Sequence, residues 1–234
     1  MIGRRCRINE LMELKLTILK DQEYQYVSDV FKYVKNEVKI SFFTQESKKQ
    51  SGREARQILE KLSSISDKIV LNIFDFDKNK KEVTDYRIDK VPATVVEGTK
   101  DFGIRYFGVP AGYLVSSLIE DIVQISKNES ELKYTSIRKL EVVKKPLNLQ
   151  VFVSATSPYS PSLVNISHRM AIEIDQITAH MIDVKEFPHL ALKYNIIDEP
   201  FTIVNDKIPV EGALNEDDFV DIVINAYHKT VNKS

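Results

Sequence analysis

Phe152-Val153-Ser154-Ala155-Thr156-Ser157-Pro158-Tyr159-Ser160-Pro161 joins an apolar run of β type to a short polar loop, and the run that follows it reads as a helix to Glu173. Ser157 at an N-cap with Pro158 at the first helical position predicts the helix start. A capping hydroxyl satisfies a free N–H and contributes about 1 kcal/mol, and proline has no N–H to leave unsatisfied. The helix is therefore predicted over 157–173.

The same reading extends in both directions. Upstream, Ser130 to Val143 is helical up to Pro146, and Leu149 to Ser154 is a strand. Downstream come a strand Ile177 to Val184, a short helix Pro188 to Tyr194 and a strand Phe201 to Asn205 opened by Pro200. Ile208-Pro209-Val210 makes a last strand, Gly212 breaks it, and Asp217 to Tyr227 closes as a helix. β-Branched and aromatic content marks the strands, and apolar residues at i, i+3, i+4 mark the helices.

That β-α-β-α-β-β-α order already occurs once before. Val38 to Thr44 is a strand, and Ala55, Ile58, Leu59 and Leu62 stripe a helix. Ile69 to Phe76 is a strand, Lys80 to Arg87 a short helix, and Val91 to Val96 and Phe102 to Phe107 two further strands. Leu114 to Ser126 is a helix, and an extra helical region, Ile8 to Asn36, precedes the whole. Tyr86-Arg87-Ile88-Asp89-Lys90-Val91-Pro92 repeats as Tyr194-Asn195-Ile196-Ile197-Asp198-Glu199-Pro200, about 110 residues on. The chain is thus expected to be α/β, a tandem duplication with an N-terminal domain at 1–127 and a C-terminal domain at 128–234, each a mixed central sheet flanked by helices.

Composition excludes several functions. Lys plus Arg (33) balances Asp plus Glu (34), so there is no global basic field for nucleic acid and no polybasic block for a membrane surface. No signal peptide follows Arg4, Arg5 and Arg7, and no apolar run is long enough to span a bilayer, which points to the cytoplasm. Cys6 is the only cysteine, so neither an internal disulfide nor a multi-cysteine metal site can form; no metal and no cofactor is expected. A composition rich in Lys, Glu and Ile, without Trp, leans thermophilic.

Nearly the whole chain, from about Val38 to about Ala226, resembles the archaeal protein disulfide oxidoreductases, or glutaredoxin-like proteins, built from two tandem thioredoxin folds. Asp75-Phe76-Asp77, Tyr86 to Thr94, Asp101 to Gly112 and Ser157-Pro158-Tyr159-Ser160-Pro161 carry the resemblance. It implies a Cys-x-x-Cys at the first strand-to-helix turn of each unit, with a cis-proline opposite, at Pro92 and Pro200. In the second unit the cysteine positions hold Ser157 and Ser160. In the first, counting from the strand gives Lys48-Lys49-Gln50-Ser51, and counting back from the helix gives Lys49-Gln50-Ser51-Gly52. Neither contains sulfur.

A serine hydroxyl forms no disulfide and stays protonated at physiological pH, so dithiol exchange is chemically excluded at both turns as they stand. Hydrolysis through an activated serine is disfavoured as well. His168 lies about 12 Å further along the same helix by helical rise, where it is expected to be partly exposed. What does not depend on sulfur is the cis-proline loop, whose exposed backbone pairs with extended substrate segments in the family. Val91 keeps the rim of that loop apolar in the first unit, whereas Glu199 puts a charge there in the second. Lys48, Lys49, Arg53 and Arg56 form a small basic patch at the first turn.

The leading expectation is a redox-inactive homologue that binds a protein or peptide partner through a groove of Pro158, Tyr159, Val91, Pro92, Glu199 and Pro200, with no nucleic-acid or membrane partner. Two alternatives stay open: a thiol-disulfide oxidoreductase or isomerase in which Ser157 and Ser160 stand for cysteines, and a purely structural scaffold.

Overall fold

The computed structural model describes residues 21–45 and 50–231. Helix α1 (Asp21–Phe31) is followed by β1 (Val38–Thr44), α2 (Gln50–Ser63), β2 (Ile69–Asp75), α3 (Lys80–Asp85), β3 (Ala93–Glu97), β4 (Ile104–Phe107) and α4 (Leu114–Lys127). The order then recurs: α5 (Tyr134–Leu140), β5 (Leu147–Val153), α6 (Ser160–Glu173), β6 (Ile177–Asp183), α7 (Pro188–Lys193), β7 (Phe201–Val204), β8 (Ile208–Glu211) and α8 (Glu216–Val231). The predicted duplication is present. Element ends differ from the sequence reading by a few residues, most at α5, which covers 134–140 rather than 130–143. Of the N-terminal helical region only Asp21 onward is described; its earlier part and Cys6 lie outside the described residues.

The eight strands form a single sheet in the order β2-β1-β3-β4-β6-β5-β7-β8. Each repeat supplies four neighbours, with the strand before the turn (β1 or β5) parallel to β2 or β6 and antiparallel to β3 or β7. The sequence reading predicted a sheet for each unit. The structure instead fuses them edge to edge, because β4 pairs in parallel with β6 from Ile104↔Ala179 to Phe107↔Ile182. Fusion covers two edges whose N–H and C=O groups would otherwise face solvent.

Strand alternation divides the apolar residues between the two faces. Val38, Ile40 and Phe42 of β1 and Leu147, Leu149, Val151 and Val153 of β5 join the larger core under the long helices. Phe43, Phe107, Phe152, Ile182 and Phe201 make a smaller core on the opposite face. Fully buried side chains such as Phe42, Phe43, Leu59 and Leu118 each contribute on the order of 1.5–3 kcal/mol.

Buried polar groups occur on both faces of the sheet, and those under the long helices join the two repeats. On the smaller face, Arg105 is buried and grips Asp101 with two nitrogens, at 2.8 and 2.6 Å, while donating to the Tyr86 carbonyl. Burial works against ionising Asp101, yet Arg105 holds its carboxyl below the ordinary value. Arg105 thereby joins the Tyr86 and Asp101 stretches. Beside Arg105, His180 is pushed down to about 3, by burial first and then by the charges of Arg105 and Lys90.

Under the long helices, Tyr106 of β4 donates to Asp121 Oδ2 of α4 at 2.5 Å, and Nδ1 of His168 on α6 lies 2.6 Å from the same oxygen. All three side chains are buried. His168 is therefore not a partly exposed helix residue as predicted; it faces the first repeat through the α4–α6 contact.

Candidate functional site

Both X-Pro bonds expected to be cis are cis, Val91-Pro92 and Glu199-Pro200. β5 pairs with β7 through Phe152↔Phe201, which sets the loop after Val153 beside the Glu199-Pro200 bond. The loops are clasped by side chains: Ser154 Oγ donates to Glu199 Oε1 and lies 3.2 Å from Thr156 Oγ1, to which Lys185 Nζ also donates at 3.4 Å. Glu199 thus turns partly inward to meet a fully buried serine.

The helix start differs from the prediction. α6 begins at Ser160 with Pro161 in its first turn, and no side chain caps it. Ser157 sits one turn earlier and contributes its carbonyl, which accepts from Ser160 N at 3.3 Å. Its hydroxyl has no capping role, because the chain between Ser154 and Ser160 is spent on two consecutive turns, closed by Ser157 N–Ser154 O at 3.2 Å and by that Ser160 bond. Pro158 and Tyr159 stand at the outer tip, Tyr159 at 64% exposure. Ser160 is fully buried, and its Oγ has no hydrogen-bond partner among the described residues.

The first repeat braces this turn. Tyr113 N donates to Ala155 O at 3.1 Å, and Gly112 has a backbone φ of +55° with room for no side chain, since a Cβ would lie 2.3 Å from Ala155 O. Gly108 packs closely on Asp183 too, where a Cβ would come within 2.6 Å of the aspartate Cβ. Asp183 ends β6 and accepts from Lys185 N at 2.9 Å. Burial, with help from Glu186 and Glu199, pushes its carboxyl up to about 6, against the pull of the Lys185 backbone and charge. Ser154, Thr156, Asp183 and Lys185 are parts of the site that the sequence reading missed. The serine and threonine lie inside the quoted stretch, and the aspartate repeats Asp75, so a signal was there.

The first turn is only partly in view, since Lys48 and Lys49 lie outside the described residues. Thr44 faces Asp75 as Val153 faces Asp183, and the same step along the chain that leads from Val153 to Ser160 leads from Thr44 to Ser51. Gln50 is exposed and Ser51 buried. Gly52 lets α2 approach β1, where a Cβ would meet Thr44 Oγ1 at 2.5 Å. Val91 is half-buried and Pro92 buried.

Beside Pro200, on its β8 side, opens a cavity of about 340 Å³ lined by Ile197, Asp198, Glu199, Pro200, Phe201 and Glu211, among others. None of residues 157–160 lines it. The sequence reading placed the groove between Ser157 and Pro200; this cavity lies beyond the proline. Among the described residues there is no group of three His, Cys, Asp or Glu side chains able to hold a metal ion, and no helix long and apolar enough to cross a membrane.

Comparison with known proteins agrees with this architecture. Residues 147–225 match the thioredoxin domain family. One component of the alkyl hydroperoxide reductase of Staphylococcus epidermidis is 23% identical over 144 residues, 62% of this chain and 26% of that protein. The chain therefore spans about a quarter of the length of these curated relatives. Among solved structures, the NTD_N/C domain of alkylhydroperoxide reductase from Enterococcus faecalis superposes with a TM-score of 0.81 at 22% identity, covering 88% of this chain and 99% of that one. A protein disulfide oxidoreductase from Aeropyrum pernix superposes with a TM-score of 0.79 at 20% identity, covering 91% and 94%. With its repeated topology, its two cis-prolines and these matches, the chain is a thioredoxin-fold protein whose residues 147–225 are similar to the thioredoxin domain family.

Proposed function

We propose that this is a cytoplasmic, redox-inactive relative of the disulfide oxidoreductases that docks an extended protein or peptide segment beside Pro200. The observation that carries the proposal is the pairing of a built loop with missing sulfur. Ser157 and Ser160 occupy the turn, yet the Ser154–Glu199 clasp, the exposed Tyr159 and the cavity beside Pro200 are all in place. Strand addition at such a loop uses backbone hydrogen bonds and a side-chain pocket, neither of which needs a thiol. We take the division of the chain to fall at 127/128, where Asn128, in a left-handed conformation, ends α4.

A second reading is favoured by one feature. A fully buried Ser160 Oγ without a partner among the described residues is unusual for a hydroxyl, which loses its hydrogen bonds to water on burial; a sulfur at the same place loses far less. On that reading the scaffold is that of a disulfide oxidoreductase with serines in place of cysteines. Insulin reduction in the presence of dithiothreitol separates the two. The chain as it stands should match buffer, and under the docking reading S157C/S160C should stay at background too. Activity of S157C/S160C well above background supports the second reading, and activity of the unaltered chain refutes the first.

A further inference from the structure

The cavity beside Pro200 has an internal counterpart, and the two differ in charge. In the first repeat Gly108 N donates to Pro92 O at 2.9 Å, as Gly212 N donates to Pro200 O at 3.1 Å. Ala93 faces Phe107 across β3 and β4, as Phe201 faces Glu211 across β7 and β8. Lys90 and Asp198 each stand two residues before the proline. Position by position, then, Lys90 and Phe107 correspond to Asp198 and Glu211.

In the first repeat this place is filled from within. Lys90 folds back so that its Nζ lies 3.8 Å from the Phe107 ring centroid and 2.6 Å from Asp89 Oδ1, leaving the side chain 19% exposed. An ammonium over an aromatic face beside a carboxylate is a favourable cation site. In the second repeat the folded-back cation is replaced by Asp198, its aromatic support by Glu211, and the cavity stands open. Asp198 and Glu211 have no ion pair among the described residues, and the third carboxylate, Glu199, has only a serine hydroxyl among them. Ile197, 90% exposed, and Phe201 supply apolar walls.

We propose that the cavity receives a lysine or arginine side chain from the docked segment, flanked by apolar residues that rest on Ile197 and Pro200. The inference rests on the docking reading above and adds the chemistry of the partner: the cation the first repeat supplies to itself, the second takes from outside. Carboxylates at the rim favour a cation at modest distance, and the attraction should weaken with added salt.

The probe is an acetylated, amidated pentapeptide Gly-Leu-Arg-Leu-Gly, compared with a twin in which citrulline replaces arginine, keeping the shape without the charge. Both are titrated into the full chain labelled with nitrogen-15, at low and high salt. The arginine peptide should shift the amides of Ile197, Asp198, Glu211 and Gly212 and bind roughly tenfold more tightly than its twin, equivalent to about 1.4 kcal/mol. D198K, which installs the first repeat's residue, and E211Q should remove most of that preference. Both positions are exposed, so the fold should tolerate the changes. Equal affinity of the two peptides, with shifts still centred on Pro200, overturns the cation inference and leaves docking intact. Selective arginine binding that survives D198K/E211Q also overturns it. Absence of any shift with either peptide overturns docking and the inference together.

Discussion

Replacing His168 by leucine should be among the most damaging single changes in the chain. Asp121 is 1% exposed and receives two donors, Tyr106 Oη at 2.5 Å and His168 Nδ1 at 2.6 Å. H168L removes one of them, leaving a buried carboxyl group with a single donor. Breaking a buried pair by deleting one partner costs about 3–5 kcal/mol, since the survivor keeps its desolvation penalty. For a chain of this length that corresponds to a fall in Tm of about 6–20 °C. Volume is not the reason, because Leu59 fills the matching position in α2 and is fully buried. The triple variant Y106F/D121L/H168L, which removes every polar atom at once, should recover most of the loss. The chain has no Trp, so urea unfolding is best followed by circular dichroism. A cost below about 1 kcal/mol for H168L, or a triple variant as unstable as the single, would show that the three side chains are held by packing rather than charge.

Two further predictions concern the turn. Asp183 holds its proton up to about pH 6 in the folded chain, against an ordinary value of 3.8. The folded state therefore binds more protons than the unfolded between those values, and stability should fall as pH rises through that window, by about 2–3 kcal/mol in all. D183N keeps an acceptor for Lys185 N, so it should flatten this pH dependence and raise stability above pH 6; an unchanged slope between pH 4 and 6 would refute the assignment. G112A and G212A place a methyl at similar positive φ angles, +55° and +82°, but only the first meets backbone, at 2.3 Å from Ala155 O, whereas the second meets nothing within 4 Å. Backbone strain of about 1 kcal/mol should appear in both, and G112A should cost clearly more by thermal unfolding; equal losses would mean that the brace under Ala155 carries no weight.

Much of the architecture was legible because the duplication writes the same pattern twice, and the Tyr86–Pro92 and Tyr194–Pro200 copies locate both cis-prolines. The fusion of the two sheets was not legible: Ile104–Phe107 reads as a strand whatever lies across its free edge. One hint was available, since Ile208–Glu211 carries Pro209 and Glu211, residues suited to an open edge, whereas Ile104–Phe107 has no proline and ends in Tyr106 and Phe107. The helix start was misplaced for a local reason. Ser157-Pro158 and Ser160-Pro161 both satisfy the capping pattern, and the choice is made by distant groups, Glu199 on Ser154 and Tyr113 on Ala155. His168 was misjudged because a polar letter broke an apolar stripe, although Val164, His168 and Ala171 lie on one helical face and all are buried. Lys48 and Lys49 lie outside the described residues.

Sheet order also accounts for the asymmetry between the two cis-proline loops. β4 is interior, pressed between β3 and β6, so Phe107 is buried and forms a floor on which Lys90 can lie. β8 has the same place in its own repeat but, among the described residues, no strand beyond it, so the equivalent residue reaches solvent. A phenylalanine there would be an exposed aromatic on an open edge, a liability for edge pairing that a carboxylate and a proline suppress. The substitution that protects the edge also removes the support for an internal lysine. Once Glu211 stands in place of Phe107, a lysine at 198 would have no ring to cover, and the chain carries Asp198 instead. The open acidic cavity then follows from where the sheet ends, and it lies beside the one cis-proline loop whose turn, Ser157 to Ser160, is described in full.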